Sequence, residues 1–219
     1  MLKKTLLAAL FMLTSSAAFA QVGGGVQVGT TGVGVDFGYQ FSDSLGGRIG
    51  YSGFNYSRKT HTSDVDYDAK LKLSSLRLLA DWELGAGFRV SGGVVYNNNK
   101  VDVTGQAANG TYTLNGNTYQ ASDIGNFTGR VKLGDGFAPY LGIGYGMIAK
   151  KGLGLYADLG VMYQGKAKTS LNVTCGAALS SSQCTQLQND ADVERQKVQD
   201  KLNGYSWYPV VSVGVSYAF

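Results

Sequence analysis

YSWYPVVSVGVSYAF, residues 205–219, alternates two kinds of side chain. Pro209, Val211, Val213, Val215, Tyr217 and Phe219 fall on one face of an extended strand; Val210, Ser212, Gly214, Ser216 and Ala218 fall on the other. Successive strand side chains point to opposite sides, so this segment carries one greasy face and one small, mostly polar face. The pattern recurs at 33–41, where Val33, Val35, Phe37, Tyr39 and Phe41 oppose Gly32, Gly34, Asp36, Gly38 and Gln40. It recurs again at 153–163, with Leu153, Leu155, Ala157, Leu159, Val161 and Tyr163 against Gly154, Tyr156, Asp158, Gly160 and Gln164. Repeated greasy faces backed by glycine and charge imply lipid outside and a narrow polar interior. The fold class expected is all-β: a transmembrane, antiparallel, up-and-down β-barrel.

Composition agrees. The chain holds 32 Gly and 14 Tyr but only 2 Pro, which suits many strands with aromatic girdles. Residues 1–20, MLKKTLLAALFMLTSSAAFA, read as a cleaved signal peptide: Lys3 and Lys4, a short apolar run at 6–13, and a small-x-small site at 18–20. That run is shorter than the roughly 20 residues of a spanning helix, and nothing downstream approaches the length. Cleavage leaves 21–219 as a single barrel domain and lowers the formal charge from +4 to +2. No basic patch invites nucleic acid.

One strand per alternating segment gives eight, with turns at 42–44, 85–87, 134–136 and 150–152. In that count the turns at 42–44, 85–87 and 150–152 cannot all be periplasmic, where short turns belong. Splitting 26–41 at residues 30–32 and admitting a strand within 105–120 gives ten, the alternative. At 67–82 the apolar residues change parity, from Tyr67, Ala69, Leu71 and Leu73 to Leu76, Leu78, Ala80 and Trp82. A β-bulge at Ser74-Ser75 would account for that change. TYTLNGNTYQ, residues 111–120, carries Asn115-Gly116 between β-prone runs, a type I′ hairpin signal.

The alternation lapses longest at 166–204. Cys175 and Cys184, the only cysteines, lie there, and an exported chain with an even count implies a disulfide. Within this loop 189–202 reads as a short helix, with Asn189 and Asp190 suited to its start and Gly204 to the position after its end.

Eight charges project inward if the alternation holds: Asp36, Arg48, Arg77, Asp81, Arg89, Arg130, Lys132 and Asp158. Five cations against three carboxylates would repel cationic solutes unless Asp64, Asp66 and Asp68 line the entrance. Buried charges must be paired or solvated, so these form either a salt-bridge plug or a narrow polar path. The single histidine, His61, lacks a second histidine for a metal and a serine motif for a triad; no enzyme, cofactor or metal is expected. The clusters GVGVDFG and GIGYG lie inside strands rather than before a helix, so they make room in the lumen instead of cradling phosphate.

Six blocks carry a family resemblance: VGTTGVG (28–34), RIGYSGFNYS (48–57), DWELGAGFRVSGGVVYN (81–97), APYLGIGYG (138–146), ADLGVMYQG (157–165) and YPVVSVGVSYAF (208–219). In this order they resemble the CarO-type outer-membrane barrels, linked to uptake of ornithine and other basic amino acids and to carbapenem susceptibility. The cysteine-bearing loop departs from that family. The resemblance implies the outer membrane of a Gram-negative bacterium and a porin-like channel for small polar solutes such as basic amino acids. The alternative is a non-transporting surface barrel with a filled lumen. Tyr217 and Phe219 resemble the terminal signal read by the barrel-assembly machinery. Outer-membrane lipid is the other expected partner, and a monomer the expected state.

Overall fold

In the computed structural model, residues 22–61, 65–107, 109–134 and 136–219 are described. The expected leader and Asp64 lie outside them, and of His61 and Asp66 only the backbone is described. Thirteen strands follow in chain order: β1 (Val22–Gly29), β2 (Gly32–Gln40), β3 (Leu45–His61), β4 (Val65–Gly85), β5 (Phe88–Asn97), β6 (Lys100–Ala107), β7 (Thr111–Leu114), β8 (Asn117–Gln120), β9 (Ile124–Lys132), β10 (Phe137–Tyr145), β11 (Gly152–Tyr163), β12 (Lys168–Cys175) and β13 (Trp207–Ala218). One helix, α1 (Ser181–Leu202), lies between β12 and β13.

Eight of these strands close a ring. β1, β2, β3, β4, β5, β10, β11 and β13 pair in that order, all antiparallel, and β13 returns to β1 with Gly23 opposite Ala218 and Gly29 opposite Ser212. Closure leaves no free edge in the barrel, which lipid demands because it cannot hydrogen-bond an exposed backbone. The count is the expected eight, but its membership differs. Residues 26–41 form a hairpin, β1–β2, rather than one strand, turning where Gly32 takes φ +103°. The segments 127–133 and 141–145, expected as two neighbours, belong to one descending path, β9 then β10. With that exchange the turns at 42–44, 85–87 and 147–151 all lie at the end carrying both termini, and the parity difficulty disappears.

Beyond the ring the longest strands continue into a second layer of sheet. The upper half of β4 leaves β5 and pairs with β6, which pairs with β9, which pairs with β12. β5 and β6 run in the same direction, as do β11 and β12, so each pair is one path interrupted at a common level. The interruptions are stitched together. Asn97 N–H donates to Gly136 O (2.6 Å), Leu133 N–H donates to Asn99 O (2.9 Å), and the Asn99 side chain accepts from Ser74 N–H (2.8 Å). The backbones of Asn97 and Asn99 and the Asn99 side chain thus supply the partners that the interrupted ladder withdraws.

No bulge interrupts β4 at Ser74-Ser75. Its register against β3 runs unbroken through Gly53↔Ser74 and Ser52↔Ser75. The apolar residues change parity because their surroundings change. Within the ring, Leu76, Leu78 and Trp82 face outward and are exposed, while Arg77 and Asp81 face the lumen. Past the ring the outward face meets water, and Leu71 and Leu73, which share a face with Arg77, sit on the inner side. That side carries the helix: Leu71, Val101, Val131 and Thr169 lie in one rung, and Thr169 Oγ1 donates to Arg195 O of α1 (3.4 Å).

The helix is longer than expected. Its N-cap is Ser180, whose hydroxyl accepts from Gln183 N–H in a capping box, so the start lies nine residues before Asn189. The disulfide Cys175–Cys184 ties the end of β12 to the first turn of α1, with Cα atoms 5.6 Å apart. The expected hairpin is present as β7–β8, with Asn115 (φ 50°) and Gly116 (φ 84°) both left-handed, as a type I′ turn requires. It packs with Leu187, Tyr119 and Ile124 into a small core apart from the barrel.

The exposed bands fix the lipid face. Aromatic pairs mark both rims: Tyr39–Phe41, Phe88–Tyr145 and Tyr217–Phe219 at the termini end, Tyr96–Phe137 and Tyr163–Trp207 at the other. Val213 lies between them, flanked by Val28 and Ala157. Val213→Arg is expected to lower the folding free energy in bilayers by about 2–4 kcal/mol. Urea titration of vesicle-folded protein checks it, and an unchanged midpoint would place this face away from lipid.

Candidate functional site

The barrel interior gathers the charges that alternation aimed inward. Asp158 on β11 accepts from Arg48 Nη1 (2.7 Å) and Nη2 (2.9 Å) and from Arg89 Nη2 (2.6 Å). Asp81 on β4 sits on the other side of the same two guanidiniums, 3.1 Å from Arg48 Nε and 3.5 Å from Arg89 Nε. A second group lies on the neighbouring wall. Arg77 donates to Asp36 (2.9 Å), and Tyr156 gives its hydroxyl proton to the other oxygen of Asp36 (2.9 Å). Gln27, with its amide oxygen turned to Arg77, accepts from that guanidinium and donates to Ser212 (2.8 Å).

Three arginines and three aspartates thus neutralise one another across strands far apart in sequence, and all six are buried. A planar guanidinium with five donors can bridge two carboxylates at once, a geometry that lysine lacks. Glycine makes the room. A Cβ on Gly50 would strike Asp36 and Arg77, one on Gly144 would strike Arg89, and one on Gly214 would strike Tyr156.

Two expected members are elsewhere. Arg130 lies on β9 beyond the ring, more than half exposed, and pairs with Asp102 at 2.5 Å. Lys132 lies on the same strand, opposite Lys100 and Lys168. Both were assigned to the lumen because 127–133 alternates like a barrel strand; it is a strand of the outer layer. The expected surplus of five cations to three carboxylates becomes a balance of three to three. Asp68, expected at an entrance, pairs instead with Lys70 at 3.1 Å on that layer.

Other lumen-filling groups carry no charge and were missed. Toward the loop end Leu79, Val95, Ala138, Tyr140, Met162 and Val210 form a buried apolar cluster inside the ring, with Tyr208 packed on it. Above it the buried Asn97 donates to Gln164 Oε1 (3.1 Å). At the termini end Met147, Ile148 and Ala149 of the β10–β11 turn are buried, and Ile148 lies directly against Gly23 and Gly38. The even positions of 138–144 and 156–162 could have revealed the cluster: Tyr140 and Met162 are large side chains on a face that also holds Ala138, Tyr156, Asp158 and glycine. From one end to the other the lumen holds a turn, an ion-paired lattice, an apolar layer and an amide pair. Tyr217 and Phe219 stand outside it, exposed at the termini end with ring centroids 5.2 Å apart. Among the described residues no cluster of His, Cys, Asp and Glu suits a metal ion.

One further carboxylate is buried, outside the barrel. Asp190, expected near the start of its helix, lies in the middle of α1 and receives Tyr119 Oη (2.5 Å), Asn117 Nδ2 (2.7 Å) and Asn115 Nδ2 (3.1 Å) from the β7–β8 hairpin. These donors, Tyr119 foremost, hold its carboxyl down at about 2. The same contact, with burial as the larger cause, pushes the Tyr119 phenol up to about 12.

No protein-family model and no curated protein sequence matches the chain. Solved structures do, among them the crystal structures of Acinetobacter baumannii CarO, 24% identical, and Acinetobacter baumannii CarO2, 27% identical. Each likeness covers 91% of this chain and 98% of the other, with a TM-score of 0.58. The chain is therefore CarO-like in structure, an outer-membrane type of β-barrel, as the six sequence blocks implied.

The Asp190 contact has a pH signature. A carboxyl depressed in the fold stabilises it fully above its ordinary value near 4, and that contribution is lost as pH falls through about 2. Pepsin digestion is expected to leave the hairpin and helix intact at pH 4 and to nick them increasingly toward pH 2. Asp190→Asn should flatten that profile; a wild-type profile already flat would show that Asp190 does not hold the two together.

Proposed function

We propose that this protein is a sealed barrel of the outer membrane of a Gram-negative bacterium, a non-conducting anchor for a rigid lobe at the cell surface. In this orientation both termini and the three short turns are periplasmic, and β6–β9, β12 and α1 stand outside. The observation that carries the reading is the neutral lattice: Arg48 is paired across the bore with Asp158, Arg77 and Arg89 are paired along the wall with Asp36 and Asp158, and the layers above and below are buried side chains. A solute path needs polar groups with unsatisfied capacity and space beside them. Here the carboxylates that would greet a cation are already bound to Arg48, Arg77 and Arg89. The expectation of a channel for basic amino acids rested on resemblance, and the filled bore weighs against it. Insertion through the barrel-assembly machinery, with Tyr217 and Phe219 as the terminal signal, belongs to the same reading, as does a monomeric state.

The test is swelling of protein-containing liposomes in iso-osmotic ornithine, glycine and glutamate. Sealed barrels are expected to swell no faster than protein-free vesicles in all three. Swelling that is faster in ornithine than in glutamate would replace this reading with the selective channel.

A further inference from the structure

Four lysines occupy one rung of the outer layer. Lys72 on β4 is opposite Lys100 on β6, Lys100 is opposite Lys132 on β9, and Lys132 is opposite Lys168 on β12. Side chains directly opposite on one face lie about 4.5–5.5 Å apart at Cβ, and like charges in such pairs are destabilising. This rung makes three like pairs in succession. Lysine on a sheet edge guards against edge-to-edge association, but Lys72, Lys100 and Lys132 are on interior strands of this layer, where no edge needs guarding.

The rung's position supplies the missing reason. Lys72 has the parity of Leu76 and Leu78, so the lysines share the face that meets lipid lower down. Leu76 belongs to the rung Tyr51–Leu76–Tyr96–Phe137, which marks the upper limit of the exposed apolar band. Four residues separate Lys72 from Leu76, roughly 13 Å along the strand and about 10 Å of height at barrel tilt. Headgroups occupy roughly 5–8 Å beyond the hydrocarbon, and a lysine stem reaches back several ångströms with its ammonium at that level. One carboxylate, Asp102, lies in the next rung; it is 3.6 Å from Lys72 and bonded to Arg130 at 2.5 Å. Its carboxyl is held below the ordinary range, first by that hydrogen bond and then by the charges of Arg130, Lys72 and Lys100. Among the described residues, Lys72, Lys100, Lys132 and Arg130 stand around that one aspartate, which leaves a local positive surplus at headgroup height.

We infer that the rung Lys72–Lys100–Lys132–Lys168, with Arg130 beside it, binds the phosphate groups of outer-leaflet lipid. The phosphates bridge neighbouring ammonium groups, remove their repulsion and set how deep the barrel sits. This rests on the orientation given under Proposed function, but not on whether the barrel conducts.

The test uses the full chain in neutral detergent, titrated with lipid A and followed by native mass spectrometry. Arms with dephosphorylated lipid A and with inorganic phosphate separate lipid from free anion. Lys100→Gln/Lys132→Gln leaves every lumen group in place and is expected to weaken lipid A binding roughly thirtyfold. Its unfolding midpoint in neutral detergent should equal or exceed that of the wild type, because all three like-charge contacts are gone. Dephosphorylated lipid A should bind both proteins alike, and inorganic phosphate at matched concentration should not displace the lipid. Equal lipid A affinity for variant and wild type would overturn the assignment. So would full displacement by inorganic phosphate, which would make the rung a free-anion site. Should that variant not fold, Lys72→Gln/Lys168→Gln carries the same comparison. A barrel that conducts yet binds lipid A as expected would overturn only the sealed-barrel reading.

Discussion

An arginine that enters a bore this narrow cannot keep its water, and the rest of the barrel is arranged around that constraint. Burying an ion costs several kcal/mol unless its donors and the opposing charge are matched. Arg48 meets the condition by reaching Asp81 on the strand beside it and Asp158 on the far wall. Arg89 meets it with the same two carboxylates. The glycines at 50, 144 and 214 follow from this need, since a side chain there would occupy the volume of a charged group or, at 214, of the Tyr156 ring that binds Asp36. The interior is therefore a solid layer whose polarity is internal, and this is what separates a small barrel filled by its own side chains from a wider one that leaves an aqueous channel.

A second constraint acts at the boundary between lipid and water. The inside–outside sense of polarity inverts there, while the strand itself does not. β4 crosses the boundary without a register shift; Leu76 and Leu78 are greasy outward below it, and Leu71 and Leu73 are greasy inward above it. The lobe thus inherits its geometry from the barrel wall and its core from the opposite face. Its helix is held by the disulfide at one end and by Asp190 in the middle. Loss of either contact should loosen the lobe while leaving the ring closed.

The barrel was legible because lipid imposes a strict period of two, and the terminal strand 205–219 shows it without interruption. Asp36, Arg48, Arg77, Asp81, Arg89 and Asp158 followed from parity alone. Arg130 and Lys132 did not, because parity separates two faces but is silent on whether the strand lies in the ring or beyond it, where the inward and outward senses exchange. The break at 134–136 looked like a turn, with two glycines around an aspartate, although the chain keeps its direction through it. The hairpin at 30–32 is legible only as part of the ten-strand alternative, because it has little turn signal beyond Gly32. The helix start was missed because Ser180 and Gln183 form their capping box in a serine-rich stretch that also reads as loop. The partner of Asp190 lies some seventy residues away, a distance over which local pattern carries no information.

The central claim is that the ion pairs are buried, mutually dependent and closing. Asp158→Asn tests it most directly, because it leaves Arg48 and Arg89 to share the single carboxylate of Asp81. A closed lattice predicts a loss of about 3–5 kcal/mol in unfolding free energy in detergent, with ion conductance in planar bilayers rising from that of a sealed barrel. A loss under about 1 kcal/mol with conductance unchanged, the behaviour of a solvated surface pair, would contradict it.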